Sequence, residues 1–547
     1  MVSNRIKIIM RKTLYTTALL LIVNFLFGCD PQFGTSGGSS LTSTTDLGPT
    51  IGSVAEVVIP EAVLLEGYGL VGELMGTGSS ECPTNIRKYL TQEILRQLPA
   101  QKTMDVERFI NSNETAVVLV EGILPSLASK GQSFDVKVTA LPGTQTTSLE
   151  GGRLYSTELK LAGTFGLSTR ILAGAEGPLY VDEISNSPVD KRTGYVLGGA
   201  KALDEQKVGL IFHKADFATT NNVRNRLNER FGSGTANAVM PGRIEVTVPY
   251  KYRDQKQRFI SIIKAMYFTW GPQIDKERIK TFVSRLAASR DGYESEVALE
   301  AIGNESLSKL RVLLNLSDEQ VRLRAARCML FLGDNEAFDT LRQIAMNPGS
   351  TNRTEALEAI ADGADRRDAA FIARRLLRDN DFKIRLLAYK ILRKLDDIAV
   401  EGEAIADDFY LERISQIGHR TIYVSRSDTP SIVLFDAPIY CVGNIFIQSK
   451  NSDITINAPS GAEYVTLLRR YPSRPGKVGQ SKSSFVLSDI IRTLCEEPAK
   501  EGQREPGGLG VSYDQMAALL QQMCDKGAVR AEFHAGPLPK IGLNVKK

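Results

Sequence analysis

The chain is poor in the residues that most catalytic chemistry needs. Its 547 residues include three histidines, one tryptophan and six cysteines. His213, His419 and His534 have no Ser, Cys or carboxylate spacing around them that reads as a triad or a metal box. No CxxC occurs, and with so few histidines the ligand spacing of a zinc site is missing. The paired carboxylates Glu496-Glu497 and Asp407-Asp408 fall in loop or helix-end contexts and read as solvated. No enzyme, cofactor or metal is therefore expected. One-sided charge is also lacking. The 67 basic and 63 acidic residues differ by four, and Arg5, Lys7, Arg11 and Lys12 in the first 28 residues account for that difference. A chain-wide field for nucleic acid is excluded.

Long apolar runs are equally scarce. The main one, from about Thr13 to Phe27, follows the basic stretch 5–12 and has the length of a secretory h-region rather than a membrane span. It ends Leu26-Phe27-Gly28-Cys29, which resembles a bacterial lipobox with cleavage before a lipid-modified Cys29. Residues 1–28 are read as a lipoprotein signal peptide. Residues 29–53 are read as a flexible tether, since 33–50 is rich in Gly, Ser and Thr and cannot bury a core. Five cysteines remain: Cys82, Cys328, Cys441, Cys495 and Cys524. An exported chain sits in a disulfide-permissive space. Cys495 and Cys524 are the expected pair, because both lie in the C-terminal helical region.

From 54 to 272 strands and helices interleave. Thr115–Leu124 and Ser133–Leu141 read as strands, the second alternating at period two. Val54–Pro60, Lys207–Phe212 and Ile244–Val248 are further strands. Asn85–Leu98 carries Ile86, Leu90, Ile94 and Leu98 on one helical face. A second helix runs over Asp216–Phe231 with Asp216 or Thr219 as N-cap, and a third over Arg258–Tyr267. Gly67-Tyr68-Gly69-Leu70-Val71-Gly72 matches G-x-G-x-x-G, but Gly76 and Gly78 follow where a dinucleotide-binding helix should start. It is read as a Gly-rich turn between strands.

Residues 273–415 change character. Strand signals vanish and Ala, Leu, Arg and Glu dominate. Ala298-Leu299-Glu300-Ala301-Ile302 recurs as Ala356-Leu357-Glu358-Ala359-Ile360. Val321-Arg322-Leu323-Arg324-Ala325-Ala326 has an echo in Ile384-Arg385-Leu386-Leu387-Ala388-Tyr389. Helix pairs too small to bury their own apolar faces would share a core by stacking, as in HEAT-like repeats. The Arg-rich stretches 322–327 and 374–378 are read as solvated faces, because acids occur throughout. Residues 416–547 return to mixed structure, with β runs at Thr421–Val424, Ser431–Phe435 and Gly443–Gln448. The expected fold class is α+β and multi-domain, with an inserted α-helical array.

Seven colinear blocks resemble the bacterial flagellar P-ring protein family. They are the Gly67–Ser80 segment, Ala116–Pro125, Lys130–Val138, Ser148–Leu154, Asp216–Thr220, Arg230–Ala236 and Ile244–Pro249. Leu487–Leu494 and Met516–Met523 with Gly527–Phe533 are similar to the family's closing helices and strand. The array departs from the family's pattern. The resemblance implies a structural, non-catalytic subunit of a periplasmic ring around the flagellar rod, supporting motility. The implied partners are further copies of the chain, the rod, the outer-membrane ring and the peptidoglycan layer, with a membrane contact through lipid at Cys29. The alternative is a non-flagellar periplasmic lipoprotein scaffold that uses the same fold and its repeats to bind partners. A cell-wall-active enzyme would be a third reading, and no catalytic constellation supports it.

Overall fold

The computed structural model describes residues 47–97, 105–164, 169–185, 189–269, 271–288, 292–415, 418–471, 476–498 and 507–541. The expected signal peptide, Cys29 and most of the expected tether lie outside the described residues. Architecture is mixed α+β, built on several sheets and a run of helices.

The first part opens with a one-turn helix α1 (Ile51–Val54) and strand β1 (Ala55–Val58). Then come β2 (Val63–Gly72), α2 (Thr84–Gln97), α3 (Val106–Ile110), β3 (Ala116–Leu124), β4 (Ser133–Ala140), β5 (Arg153–Leu161), β6 (Ala173–Pro178) and β7 (Thr193–Ala202). Strands β2-β3-β4-β7-β6-β5 close into a six-stranded antiparallel barrel. In β4, Phe134, Val136, Val138 and Ala140 point inward and are buried, as the period-two pattern requires. A barrel this small is filled by side chains, and its core is Val118, Val120, Val136, Val138, Leu154 and Leu159 against the small residues Ala175 and Ala200.

The G-x-G-x-x-G segment is not a turn. It lies inside β2, and its glycines serve the seam where β5 closes the barrel onto β2. A Cβ at Gly67 would collide with the carbonyl oxygen of Glu158, and one at Gly69 with Oγ1 of Thr157. Strand β2 needs the missing side chains to let β5 approach.

Next come β8 (Val208–Phe212), α4 (Phe217–Phe231), β9 (Ala236–Met240), β10 (Arg243–Val246) and α5 (Lys256–Ala265). Strand order β1-β8-β10-β9 makes an antiparallel sheet. Asp216 caps α4, its Oδ2 accepting from the Thr219 amide at 2.7 Å. Phe231, Tyr252 and Phe259 meet in edge and tilted contacts beneath the sheet.

Eight helices follow: α6 (Pro272–Ala287), α7 (Gly292–Ile302), α8 (Leu307–Leu313), α9 (Glu319–Phe331), α10 (Phe338–Met346), α11 (Arg353–Gly363), α12 (Arg366–Leu376) and α13 (Phe382–Lys394). The duplicated words fall on matching faces. Ala298, Leu299 and Ala301 are buried in α7, and Ala356, Leu357 and Ala359 in α11. Asp318 and Asp381 cap α9 and α13 with side chains that accept backbone N–H bonds.

The helical run ends at Lys394, short of the expected 415. Residues 401–415 form β11 (Glu401–Ile405) and β12 (Phe409–Ser415), an antiparallel pair. They turn to strand because β12 finds a parallel partner in the C-terminal sheet. That sheet also holds β13 (Thr421–Val424) and β14 (Ser431–Ala437). Strands β15 (Ile445–Gln448), β16 (Ile454–Ala458), β17 (Val465–Arg470) and β18 (Val478–Ser483) form a second, antiparallel sheet. Helices α14 (Leu487–Cys495) and α15 (Tyr513–Asp525) and strand β19 (Glu532–Ala535) close the chain, giving the order β11-β12-β14-β13-β19. One apolar core runs through both sheets and both helices, and it takes in Tyr180, Ile184 and Leu197 beside the barrel.

Candidate functional site

Among the described residues no group of three or more His, Cys, Asp or Glu is placed to hold a metal ion. His534 stacks on Phe382 at 4.0 Å between ring centroids, and the His213 amide donates to the Val54 carbonyl. Asp407 and Asp408, expected to be solvated, diverge. Asp407 is exposed on the tight β11–β12 turn. Burial pushes Asp408 up to about 6, against the pull of the Tyr513 N–H and the Arg153 charge.

Cys495 and Cys524, the expected disulfide pair, are both free thiols. Burial holds Cys495 well above the usual thiol value, and Cys524 is pushed up to about 11. The cysteine whose charge Cys524 affects is Cys441, itself raised by burial to about 12. Cys29 lies outside the described residues.

What the fold builds with care is its joints. The first ties the helices to the β1–β8–β10–β9 body. Arg258 on α5 donates to Glu296 at 2.7 Å and also pairs with Glu300, both on α7. Arg327 on α9 takes the other oxygen of Glu296 at 2.7 Å. Both glutamates are 0% exposed. Burial works to raise Glu296, but the hydrogen bonds and charges of Arg327 and Arg258 outweigh it and hold the carboxyl below its ordinary value. Glu300, whose ion pair among the described residues is with Arg258, is pushed up by burial. The Arg258 guanidinium also lies 4.6 Å from the Phe331 ring, and Lys251 donates to the Phe331 carbonyl at 3.0 Å.

The second joint ties α13 to the C-terminal sheet. Tyr389 donates its hydroxyl to Glu412, which also accepts from Arg393 at 2.8 Å. Arg385 reaches Oγ1 of Thr421 at 3.2 Å, and Phe382 packs against Phe435 and His534. The helical run is therefore anchored at both ends.

The third joint sets the barrel against the C-terminal region. Arg426 pairs with Asp182 at 3.1 Å. Asp135 on β4 accepts from the amides of Gly198 at 2.6 Å and Asp428 at 2.9 Å. Gly198 has φ +61°, and a Cβ there would meet the Asp428 carbonyl at 2.7 Å, so glycine is needed for this contact. Asp514 at the start of α15 accepts from the Val181 amide at 3.4 Å. Between the two parts lies a cavity of about 390 Å³, lined by Glu176, Lys201, Tyr180, Asp408, Tyr410 and Tyr513 among others. Sequence reasoning missed this joint, because its partners are up to 333 positions apart.

Two of these joints hang on one segment. The barrel and the β1–β8–β10–β9 body, to which α5 belongs, lie in a single stretch of chain.

Residues 50–276 match the family model of the flagellar P-ring protein.

All seven N-terminal blocks fall inside that span. The flagellar P-ring protein of Thermotoga maritima is 30% identical over 214 residues, covering 37% of this chain and 61% of that protein. Those of Hydrogenovibrio crunogenus and Legionella pneumophila (strain Corby) are 30% identical over 233 and 228 residues, covering 39% of this chain and 59% of each relative. The chain spans about three fifths of the length of these relatives. The helical run from α7 onward and the C-terminal sheets lie beyond the matched residues. Among the described residues no helix is long and apolar enough to cross a membrane.

Proposed function

We propose that the chain is a structural subunit of a ring around the flagellar rod, a P-ring-like bushing of the basal body that supports motility. The observation that carries this reading is the extent of the match. Residues 50–276 take in the whole barrel with its core and every strand of the β1–β8–β10–β9 body. The work is mechanical, and the chain catalyses nothing. Ring closure requires two different faces on each subunit, so the first partner is a further copy of the chain. The rod, the outer-membrane ring and the peptidoglycan layer are the other partners. A lipid on Cys29 would tie the ring to a membrane from the periplasmic side. The helices α7–α13, anchored at both ends, would turn with the subunit as one piece and offer a stacked-helix face beside the ring.

Deletion of the gene tests this. The expected result is loss of swimming, restored by the full chain on complementation. Unimpaired swimming of the deletion strain would overturn it.

A further inference from the structure

Where the barrel meets the C-terminal sheets, three of the contacts that cross are carboxylates on neutral donors, beside those of the charged Arg426 and Lys450. Asp135 of the barrel accepts the Asp428 amide from the C-terminal side, and Asp514 of the C-terminal side accepts the Val181 amide from the barrel. Asp514 is 1% exposed. Its other oxygen accepts from Gln515 N at 2.8 Å and from the Ser512 hydroxyl. Asp408, near Asp514 and on the cavity wall, accepts the Tyr513 amide from its own side of the joint at 2.9 Å. No cation lies within ion-pair distance of any of the three among the described residues. Backbone amides are weak compensation for a buried negative charge.

We propose that this joint is a proton-controlled clasp, in which protonation of Asp514, Asp135 and Asp408 holds the barrel against the C-terminal sheets and their ionisation loosens it.

The surroundings of each group point the same way. Asp514 faces Glu150 from the segment before β5 and Asp408 from the β11–β12 turn, with Arg469 of β17 the basic residue near it. Glu150 is itself held by Lys191 at 2.9 Å and Gln515 at 3.0 Å. Asp135 faces the carboxylate of Asp428. Asp408 faces Asp514 and, at a distance, Arg153. Burial is the main cause in all three cases, lifting Asp135 and Asp408 to about 6 and Asp514 to about 7. The opened joint would return them to water and to the ordinary aspartate value, so closing takes up protons. The cavity between the two parts, which Asp408 lines, gives water a route to that carboxyl. The Asp182–Arg426 pair also crosses the joint, at 3.1 Å. The clasp rests on this joint alone and does not depend on the ring.

Hydrogen exchange of the full chain tests it, read at the amides of Val181, Gly198 and Asp428 and corrected for the intrinsic pH effect. Between pH 5.5 and pH 8 the open population should rise about thirty-fold through Asp514 alone. Amides of α9 in the helical run serve as the unchanging control. Asp514→Asn should remove that share, about thirty-fold, and leave only the smaller pH dependence due to Asp135 and Asp408. Asp135→Asn should remove a smaller share of the pH dependence, and it carries the test if the first variant does not fold. Equal protection at both pH values would overturn the proposal, as would an unchanged pH dependence in the variants.

Discussion

The joint at the head of the helical run and the joint between the barrel and the C-terminal sheets both bury carboxylates, and they treat them in opposite ways. At the first, Glu296 sits between two guanidiniums and is held in its charged form, while Glu300, paired with Arg258, is pushed up by burial. At the second, Asp514 and Asp135 are met by amides and hydroxyls and are pushed toward their neutral form. The lesson is that burial alone does not decide what a buried acid does. The number and charge of the donors set against it do. One joint is a fixed bolt and the other is sensitive to protons.

The largest way to break this comparison is Arg258→Ala. It would leave Glu300 buried without its cation and Glu296 with one guanidinium instead of two. Removing one partner of a buried ion pair costs roughly 3–5 kcal/mol, read as a fall in the urea midpoint. A loss no larger than that of a surface arginine would show that the bolt carries no load.

Gly67→Ala comes next and tests the barrel seam. Its Cβ meets the backbone of Glu158 rather than a movable side chain. The expected cost is about 1–3 kcal/mol, while the same change at Gly76, which has open space around it, is strained only through its positive φ.

The pH dependence sharpens the contrast. Asp135 and Asp514 have folded values raised to about 6 and about 7, so the closed joint is most stable in acid and weakens as pH rises through that range. Glu296 is depressed, so its contribution is present above the ordinary glutamate value and is lost as pH falls through the lower folded one. Unfolding followed by probes in the two regions should therefore give opposite slopes. Parallel slopes would remove the distinction.

The smallest effect is expected from Asp381→Ala, which removes a helix cap at 2.9 Å from the Lys383 amide. It should cost about 1 kcal/mol and leave both joints' pH behaviour alone.

Much of the fold was legible where side-chain pattern and packing agree. Strands β3 and β4, helix α2 and the Asp216 cap follow from alternation, from a single apolar face and from a capping aspartate. The duplicated Ala-Leu-Glu-Ala-Ile words do mark buried helix faces. The two copies differ at their glutamate, since Glu300 is buried on Arg258 while Glu358 faces outward. No periodicity could reveal that, because the guanidinium comes from another element. Strands β6 and β7 escaped notice for a physical reason. They read AGAEGP and TGYVLGGAKA, and a tight barrel wants small residues where an open sheet would want large ones. Gly67 and Gly69 looked like a turn for the same reason. The 401–415 hairpin was hidden because its strand character is supplied by β14, its parallel neighbour. The site was least legible of all. Asp135, Val181, Asp428 and Asp514 carry no local signature, and only the closed fold brings them together.

The central proposal is that this chain is a ring subunit of the flagellar basal body. It is tested most directly by purifying intact hook–basal bodies and measuring the chain by quantitative mass spectrometry. The account predicts its presence in ring-like abundance relative to the rod proteins. Complete basal bodies that lack it would contradict the account.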